Sequence, residues 1–549
     1  GNFELTAGLG FGRLAGRDSF NNPLGKISSK FNNRAGKGFG AGGTLGDILW
    51  FQGNTSAFYG LNYRLGKKLI LSSEYTPDLM LKEHEYLDIK SPWNYGLKYE
   101  FNNHLNFALE YLHGSQLSLT ANVFANPGRP PLKGGKELAP VPMRLRGDEA
   151  SAVNQSNEPL IKKVLEADKF EVHHFKVHGE TVEITVTNTK FRSTAQAVGR
   201  LASTLQRFTS DSTRVAYISF QRSGLLVASY RVDLNEITKK QFSPTSYNEK
   251  DQSILAINPK ISSEQKVNQQ FVWGVGPYIE HRLFNPDLPL SIETGLEIEA
   301  GYKLTPNLKL SGALRKSVLT NLTDNKRRSN SVLPRVHSDW PLYDFAGQSG
   351  HINSLTVSYM QNLAPGVYGK IRAGLLEPFF AGIGGELLYK QAQSPFALGL
   401  DIHRVKKRDY NMLFDLLDYE TVVGHLSFYY DAGRIFEVEV NAGKYLAGDW
   451  GATTTISRKF GSGWEVGGYA TLTDVPFATF GEGSFDKAIY VSIPIDWIIS
   501  SPNKTKRRIA LRPITRDGGA NLASARSLYG HIKGYQNSDI KREYGRLWK

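Results

Sequence analysis

The sequence predicts a mainly β protein, built from two antiparallel transmembrane β-barrel segments with a small α/β periplasmic domain between them. Three observations lead to this fold class. Apolar and polar residues alternate along many segments, as in strands that turn one face to lipid and the other to a lumen. Several of these segments reach about ten residues, enough for a tilted strand to cross a bilayer. Short and long connections also alternate, as expected of periplasmic turns and outer loops.

Residues 1–125 form the first predicted barrel segment. From Trp93 to Phe101 the odd positions are apolar, and the even positions are polar or glycine. About six such strands can be recognised, fewer than the roughly eight of a small closed barrel, so we expect this segment to be N-terminally incomplete. Its tight turns are Gly66-Lys67 and Asn102-Asn103, and its long connections are 15–53 and 77–91.

A soluble insert follows. Residues 126–157 are a predicted linker that begins with a Pro/Gly-rich stretch. Residues 158–235 have the pattern of a compact α/β domain with the order αββαββ, in which Ser193 is a plausible cap of the longer helix. A second linker covers 236–268. The strand at 116–124 descends from an outer tip, so the insert is predicted to lie in the periplasm.

Residues 269–498 form the second predicted barrel, with about twelve strands. An even number returns the chain to the periplasm, so residues 499–549 are predicted to be a periplasmic C-terminal tail. The tight turns are Thr305-Pro306-Asn307, Ala364-Pro365-Gly366, Gln393-Ser394-Pro395, Asp431-Ala432-Gly433 and Gly461-Ser462-Gly463, and the longer loops are 321–350, 406–420 and 475–485.

Composition restricts the function classes. The chain has no cysteine, which excludes disulfides, thiolate metal sites and cysteine nucleophiles. Its net charge of +14 favours anionic partners. We find no nucleic-acid-binding motif, so lipopolysaccharide or an acidic polymer is the expected partner and nucleic acid is not. No stretch approaches the roughly 20 apolar residues that a membrane helix needs.

Charged residues on the strands of the second segment are the first candidate functional group. Glu293, Glu297 and Glu299 share one face at strand spacing. Paired carboxylates can hydrolyse glycosidic bonds, but we prefer opposite charges that pair across a lumen. The candidate lumen charges are Glu293, Glu297, Glu299, Lys309, Arg315, Lys370 and Arg372.

A second candidate group is a basic patch beside an outer loop. It either meets the phosphates of lipopolysaccharide or an acidic polysaccharide, or is a solvated run of charge. The patch consists of Arg404, Lys406, Lys407 and Arg408. His173 and His174 are adjacent on a strand and point to opposite faces, so we predict no metal site there. We expect no catalytic residues and no cofactor.

Three runs of residues resemble the YjbH/GfcD family of outer-membrane exopolysaccharide and group 4 capsule proteins. They are Asp339–Tyr343, Leu375–Glu386 and Leu511–Ala520, with Asp474–Phe477 more loosely similar. The resemblance implies an outer-membrane protein with two barrels in one chain and more sequence before Gly1. It also implies a periplasmic helper and an outer-membrane polysaccharide exporter as partners. Members can begin as lipoproteins, and the family has no established catalytic residues to carry over.

The residues and the resemblance together predict a non-enzymatic protein of the Gram-negative outer membrane. It would assist secretion or surface assembly of an extracellular polysaccharide or capsule. Three alternatives stay open at this point: a general diffusion porin, an outer-membrane enzyme that modifies the polysaccharide, and an assembly factor whose insert binds unfolded barrels.

Overall fold

The computed structural model describes the chain in two compact units, Gly1–Arg129 and Pro130–Lys549. The predicted mainly β class is confirmed, because strands dominate both units. Among the described residues, no helix combines the length and the apolar composition needed to cross a membrane. The description omits residues 1, 35–49, 82–86, 131–136, 147–152, 154, 242–251, 261–269, 284–289, 325–328, 434–435, 481–484, 513–515 and 524–526. Parts of both predicted linkers and of the long loops therefore lie outside the described residues.

The first unit is a six-stranded antiparallel sheet with its strands in sequence order, the number that the pattern predicts. Its strands are β1 (Phe3–Phe11), β2 (Thr55–Leu65), β3 (Leu69–Tyr75), β4 (Trp93–Asn102), β5 (Leu105–Leu112) and β6 (Gln116–Val123). On β4, Tyr95, Leu97 and Tyr99 are exposed, whereas Lys98 and Glu100 between and beside them are half-buried. The apolar face of this sheet is thus its exposed face.

The second unit begins with the α/β domain. The predicted order αββαββ runs from its first helix to its fourth strand, and one helix and one strand extend it. Its elements are α1 (Glu158–Ala167), β7 (Phe170–His178), β8 (Thr181–Asn188), α2 (Thr194–Phe208), β9 (Val215–Arg222), β10 (Leu225–Asp233), α3 (Leu234–Lys240) and β11 (Ile254–Ile257). The sheet order is β11-β10-β9-β8-β7, with β8 and β9 parallel. Ser193 caps α2, since its Oγ accepts from the Gln196 N–H.

The rest of the second unit is a 13-stranded antiparallel sheet, again in sequence order. Twelve strands occupy the region where about twelve are expected, and a further strand follows. The strands are β12 (Gln270–Leu283), β13 (Leu290–Lys303), β14 (Leu308–Thr320), β15 (His351–Ala364), β16 (Val367–Leu375), β17 (Phe380–Tyr389), β18 (Phe396–Arg408), β19 (Leu416–Asp431), β20 (Glu437–Lys444), β21 (Trp450–Lys459), β22 (Glu465–Thr473), β23 (Asp486–Pro494) and β24 (Lys506–Leu511). Among the described residues, β12 and β24 are not paired with each other.

Burial in the large sheet is the reverse of that in a soluble protein. Ile371 is 58% exposed and Leu426 is 60% exposed, although both are aliphatic. Lys370, Arg372 and Glu386 are 5%, 3% and 8% exposed, although all three are charged. Because successive side chains of a strand point to opposite faces, the sheet has one exposed apolar face and one buried polar face.

The two ends of the large sheet differ. The predicted tight turns lie at one end, and the α/β domain packs there. The carbonyl oxygen of Pro306 lies so close to Gly224 (φ +83°) that a Cβ at this position would be 2.1 Å from it. Asn362 accepts from the Leu226 N–H at 2.9 Å and donates to its carbonyl at 3.0 Å. We call this end the short-turn end and the opposite one the loop end.

Short helices accompany the loops and the end of the chain. They are α4 (Trp340–Ala346), α5 (Phe477–Phe480), α6 (Ile495–Ile499), α7 (Leu528–Ile532) and α8 (Asn537–Arg542). The interpretation of 499–549 as a tail is wrong, because this region supplies β24 and then packs on the polar face of the large sheet. The predicted loop 406–420 shortens to 409–415, since β18 and β19 extend into it.

Candidate functional site

Opposite charges pair on the polar face of the large sheet. Arg315 of β14 forms an ion pair with Glu297 of β13. Lys370 Nζ of β16 lies 2.7 Å from Glu386 Oε1 of β17. Both pairs join neighbouring strands, so each of these charges has an opposite charge beside it and none is left buried without a partner.

The remaining candidate charges of β13 and β14 have separate environments. Glu293 is buried and accepts a hydrogen bond of 2.7 Å from the Tyr278 hydroxyl. Glu299 is exposed, and Lys309 is half-buried near Gly301. The structure therefore places Glu293 and Glu297 in different hydrogen-bonded pairs.

Arg372 belongs to a cluster that the sequence reasoning missed. Its Nε donates to His403 Nε2 at 3.1 Å, which places the proton of a neutral His403 on Nδ1. Asp401 Oδ2 lies 3.5 Å from that Nδ1 and 3.7 Å from His425 Nδ1. The two-residue spacing of Lys370 and Arg372, and that of Asp401 and His403, which places each pair on one face of a strand, were the only available signals. A cavity of about 140 Å³ lies beside this cluster.

The predicted basic patch is wrong as a surface feature for two of its four residues, Lys407 and Arg408, which are buried. Arg404 is exposed and paired with Glu420, and Lys406 is half-buried. Lys407 is buried with its Nζ 2.5 Å from Asp339 Oδ2. Arg408 is 0% exposed. Lys407 continues the alternation that buries His403 and Val405, whereas the burial of Arg408 departs from it, where the pairing with β19 is irregular between Lys406 and Arg408.

Arg408 instead organises the loop end. Its guanidinium donates to the carbonyls of Glu377 at 2.7 Å and Ile352 at 2.9 Å. Its own carbonyl accepts 2.7 Å from the Tyr343 hydroxyl. Each of these carbonyls therefore has a charged donor in place of water.

Residues 516–549, which we call the C-terminal segment, begin at the loop end. Asp517 Oδ1 accepts from the N–H groups of Val336, His337 and Ser338 at 2.9–3.0 Å. Its Oδ2 accepts 2.6 Å from the Ser338 hydroxyl. Gly519, whose φ of +68° suits glycine, donates 2.7 Å to Asp449.

The C-terminal segment then crosses the polar face. The Leu528 N–H donates 2.7 Å to Glu386, the partner of Lys370. The ring of Tyr529 stacks on Tyr429 of β19 with centroids 3.8 Å apart and planes 12° apart. Lys533 Nζ lies 3.0 Å from Glu437 of β20. These contacts explain why the polar face is buried.

The carboxylates around Lys533 keep it charged. Its Nζ also lies 3.2 Å from Glu465 of β22. Burial alone would lower the pKa of Lys533, but Glu437 and Glu465 outweigh this effect and raise the pKa above its ordinary value.

At the short-turn end the C-terminal segment meets the α/β domain. The Ser538 hydroxyl donates 2.6 Å to Asp431, at the end of β19. Arg192, which precedes α2, is paired with Asp496 at 3.0 Å and with Glu543 at 2.7 Å. Burial lowers the pKa of Arg192, but the two carboxylates outweigh it and raise the pKa overall. One buried cation therefore joins the α/β domain, α6 and the C-terminal segment.

The last residues of the C-terminal segment lie along α2. The carbonyl oxygen of Leu547 would be 1.8 Å from a Cβ at position 199, so only glycine fits there. The Tyr230 hydroxyl of β10 donates 2.6 Å to the Tyr535 carbonyl. α2 is thus buried between its own sheet and the C-terminal segment.

The chain is similar to known proteins of one family. The model of the YjbH family, described as "Exopolysaccharide biosynthesis protein YbjH", matches residues 1–534. The chain belongs to this family. A relative in Escherichia coli (strain K12), "Uncharacterized lipoprotein YjbH", is 28% identical over 552 residues, which cover 96% of this chain and 77% of the relative. The resemblance predicted from the sequence motifs is therefore confirmed.

Two solved structures are weakly similar to this YjbH family member. The Salmonella typhi OmpF complex with daunomycin has a TM-score of 0.26 and 12% identity, over 50% of this chain and 94% of that one. The CymD monoaromatic hydrocarbon channel has a TM-score of 0.11 and 10% identity, over 80% of this chain and 78% of that one.

The motifs that carry the YjbH resemblance meet at the loop end. Asp339 binds Lys407, and Tyr343 binds the carbonyl of Arg408. Glu377 Oε2 accepts 2.7 Å from the N–H of Ala523, which lies just after the third motif. The motif residues thus fasten the C-terminal segment to the loops. Among the described residues, no group of three His, Asp or Glu side chains is arranged to hold a metal ion.

Proposed function

We propose that this YjbH family protein is an outer-membrane β-barrel protein that assists the secretion or surface assembly of an extracellular polysaccharide. The observation that carries the proposal is the exposed apolar face of the large sheet, with Ile371 and Leu426 on it. Such a face is stable against lipid and unfavourable in water. The description of the family supplies the link to exopolysaccharide.

The proposed orientation follows from the two ends of the sheet. Outer-membrane barrels have short turns on the periplasmic side. The α/β domain packs at the short-turn end through Gly224 and Leu226, so we place it in the periplasm, where it offers a docking surface for export proteins. The name of the Escherichia coli relative, a lipoprotein, is consistent with an envelope location.

The C-terminal segment argues for an assisting role over a general diffusion porin. A porin needs a water-filled lumen lined by polar side chains. Here Glu386, Tyr429 and Glu437 bind the C-terminal segment on that face. We also propose that the protein is not an enzyme, since the candidate carboxylates Glu293 and Glu297 each bind a structural partner.

The test is the polysaccharide made by a strain that lacks the gene, with and without a plasmid copy. We expect less surface and released polymer, accumulation in the periplasm, and restoration by the plasmid. Fractionation should place the protein in the outer membrane. Unchanged polymer under conditions that express the pathway would contradict the proposal. Polymer secreted in normal amounts but with altered substituents or chain ends would favour the modifying enzyme.

A further inference from the structure

The six-stranded sheet of the first unit encloses a polar groove of about 580 Å³ on the face opposite its exposed apolar side chains. The groove lies near the tight turns Gly66-Lys67 and Asn102-Asn103. Its polar lining consists of Asn2, Glu4, Asn62, Arg64, Ser72, Lys98, Glu100, Asn106, Glu110 and Asn122. We infer that this groove binds a neutral, hydroxyl-rich stretch of a polysaccharide chain, an inference that rests on the proposed function.

The amides in the groove suit hydroxyl groups. Asn122 donates to Asn106 at 3.0 Å, and Asn62 donates to Glu4 at 3.1 Å. A carboxamide has two N–H donors and a carbonyl with two lone pairs, so each side chain offers more bonds than these contacts use. A sugar hydroxyl is both donor and acceptor and can therefore match either end of an amide.

The charges in the groove select against a polyanion. Arg64 lies 2.7 Å from Glu100, which also has Lys98 at 3.8 Å. Glu4 and Glu110 add further carboxylates, so acidic residues outnumber basic ones by three to two in the lining. A chain of uronic acids would bring its own negative charges close to these carboxylates.

The two polar faces differ in what covers them. In the large sheet the C-terminal segment occupies the polar face through Leu528 and Tyr529. In the first unit, every described side chain that lines the groove comes from a strand or from a residue next to one. The described connection between β1 and β2 packs instead at the other end of the sheet, where Asn22 donates to the Phe31 carbonyl and Phe20 pairs with Thr55.

The first experiment fills the groove. Asn62→Trp places a large ring on the polar face, and Leu61→Trp, one residue earlier, places the same ring on the apolar face. We expect Asn62→Trp to lower export about tenfold and Leu61→Trp to leave it unchanged. Asn122→Leu removes an amide without filling the groove. This variant should also lower export, but by less than Asn62→Trp does.

Binding is measured directly on the full-length protein in detergent. Neutral dextran oligosaccharides and polygalacturonate oligosaccharides of matched length are titrated into the wild type and the three variants. We expect dextran fragments to bind the wild type and Leu61→Trp, and Asn62→Trp to bind about tenfold more weakly. Polygalacturonate should bind more weakly than dextran. Stronger binding of polygalacturonate, or equal binding of dextran by Asn62→Trp that is folded and inserted, would overturn the inference.

A disulfide bond tests the alternative that the polysaccharide passes along the polar face of the large sheet and not through the groove. Asp431 and Ser538 are hydrogen-bonded at 2.6 Å, and the chain has no cysteine. Replacing both with cysteine would tie the C-terminal segment to β19 in an oxidising periplasm. We expect the locked protein to export normally. Loss of export that a reductant restores would overturn the inference, whereas normal polymer in the gene deletion would remove the proposed function itself.

Discussion

Asp517 illustrates how one residue can hold two distant parts of the chain together. It is 1% exposed and accepts three backbone N–H groups and one hydroxyl from residues 336–338. Buried N–H groups need such partners because water cannot replace them. The carboxylate therefore anchors the start of the C-terminal segment to the loop end.

Asp517→Ala should lower the free energy of unfolding by about 2–4 kcal/mol, since several buried donors lose their acceptor. Urea unfolding in detergent measures the change. Asp474→Ala is the matched control, because Asp474 is exposed and, among the described residues, accepts one hydrogen bond, from the Trp450 N–H at 3.0 Å. Equal losses in the two variants would show that the Asp517 bonds contribute little.

Asp344 should make the free energy of unfolding depend on pH. Burial raises its pKa to about 6, although Arg282 lies 2.5 Å away and acts in the opposite direction. In an unfolded chain Asp titrates near about 3.9. The folded state thus keeps the proton to higher pH, and the stability from this group is complete below about pH 4 and is lost as pH rises through about 6.

Asp344→Asn should therefore remove part of the decrease in unfolding free energy between about pH 4 and pH 7. Urea unfolding of both proteins across this range measures it. A variant whose pH profile matches that of the wild type would contradict the assignment to Asp344.

The residue scale also shows where sequence reasoning fails. The sequence predicted opposite charges that pair across a lumen, whereas Arg315 pairs with Glu297 on the neighbouring strand. The burial of Arg408 did not follow from alternation, because the pairing with β19 is irregular between Lys406 and Arg408. The same run of basic residues is compatible with side chains that point to water and with side chains that bind buried carbonyl groups.

Among the elements, the C-terminal segment links the loop end, the polar face and α2. Its last part depends on close backbone contact, because the Leu547 carbonyl lies where a side chain at Gly199 would be. Isolated short helices such as α7 and α8 have little stability of their own. Their packing against the large sheet and α2 is therefore what orders them.

Gly199→Ala should displace the residues around Leu547 from α2, since backbone atoms at 1.8–2.9 Å cannot give way as a flexible side chain can. Trypsin should then cleave after Arg542 and Arg546 faster than in the wild type. Gly274→Ala in β12 is the control, because a Cβ there would meet nothing within 4 Å. Unchanged cleavage in Gly199→Ala would show that the contact is dispensable.

The sequence does not predict β24 as a strand, because the segment is short and charged. It has six residues, three of them basic at its start, and all six are exposed. Short charged runs carry too little alternation to be distinguished from a loop. Pairing of Ile509 and Leu511 with β23 decides the strand, and pairing is not visible in a single segment.

For the whole molecule, the exposed apolar face supports the proposal that the large sheet faces lipid, and a substitution on that face tests it. Leu426→Arg, near the middle of β19, should cost about 2–4 kcal/mol of unfolding free energy in lipid vesicles, as expected for an arginine facing lipid. Leu413→Arg is the control, since Leu413 is also exposed but lies in a loop. Similar small losses in both variants would argue against lipid on this face.

The sequence by itself determined most of the strands, though not β11 and β24, together with the apolar face of the long strands and the positions of the tight turns. These properties are local, because alternation and turn chemistry involve residues close in the chain. Only the tertiary structure decided that the C-terminal segment covers the polar face, and that Asp401, His403 and His425 meet beside Arg372. Burial and charge pairing depend on residues far apart in sequence, such as Arg192 and Glu543, which no local pattern brings together.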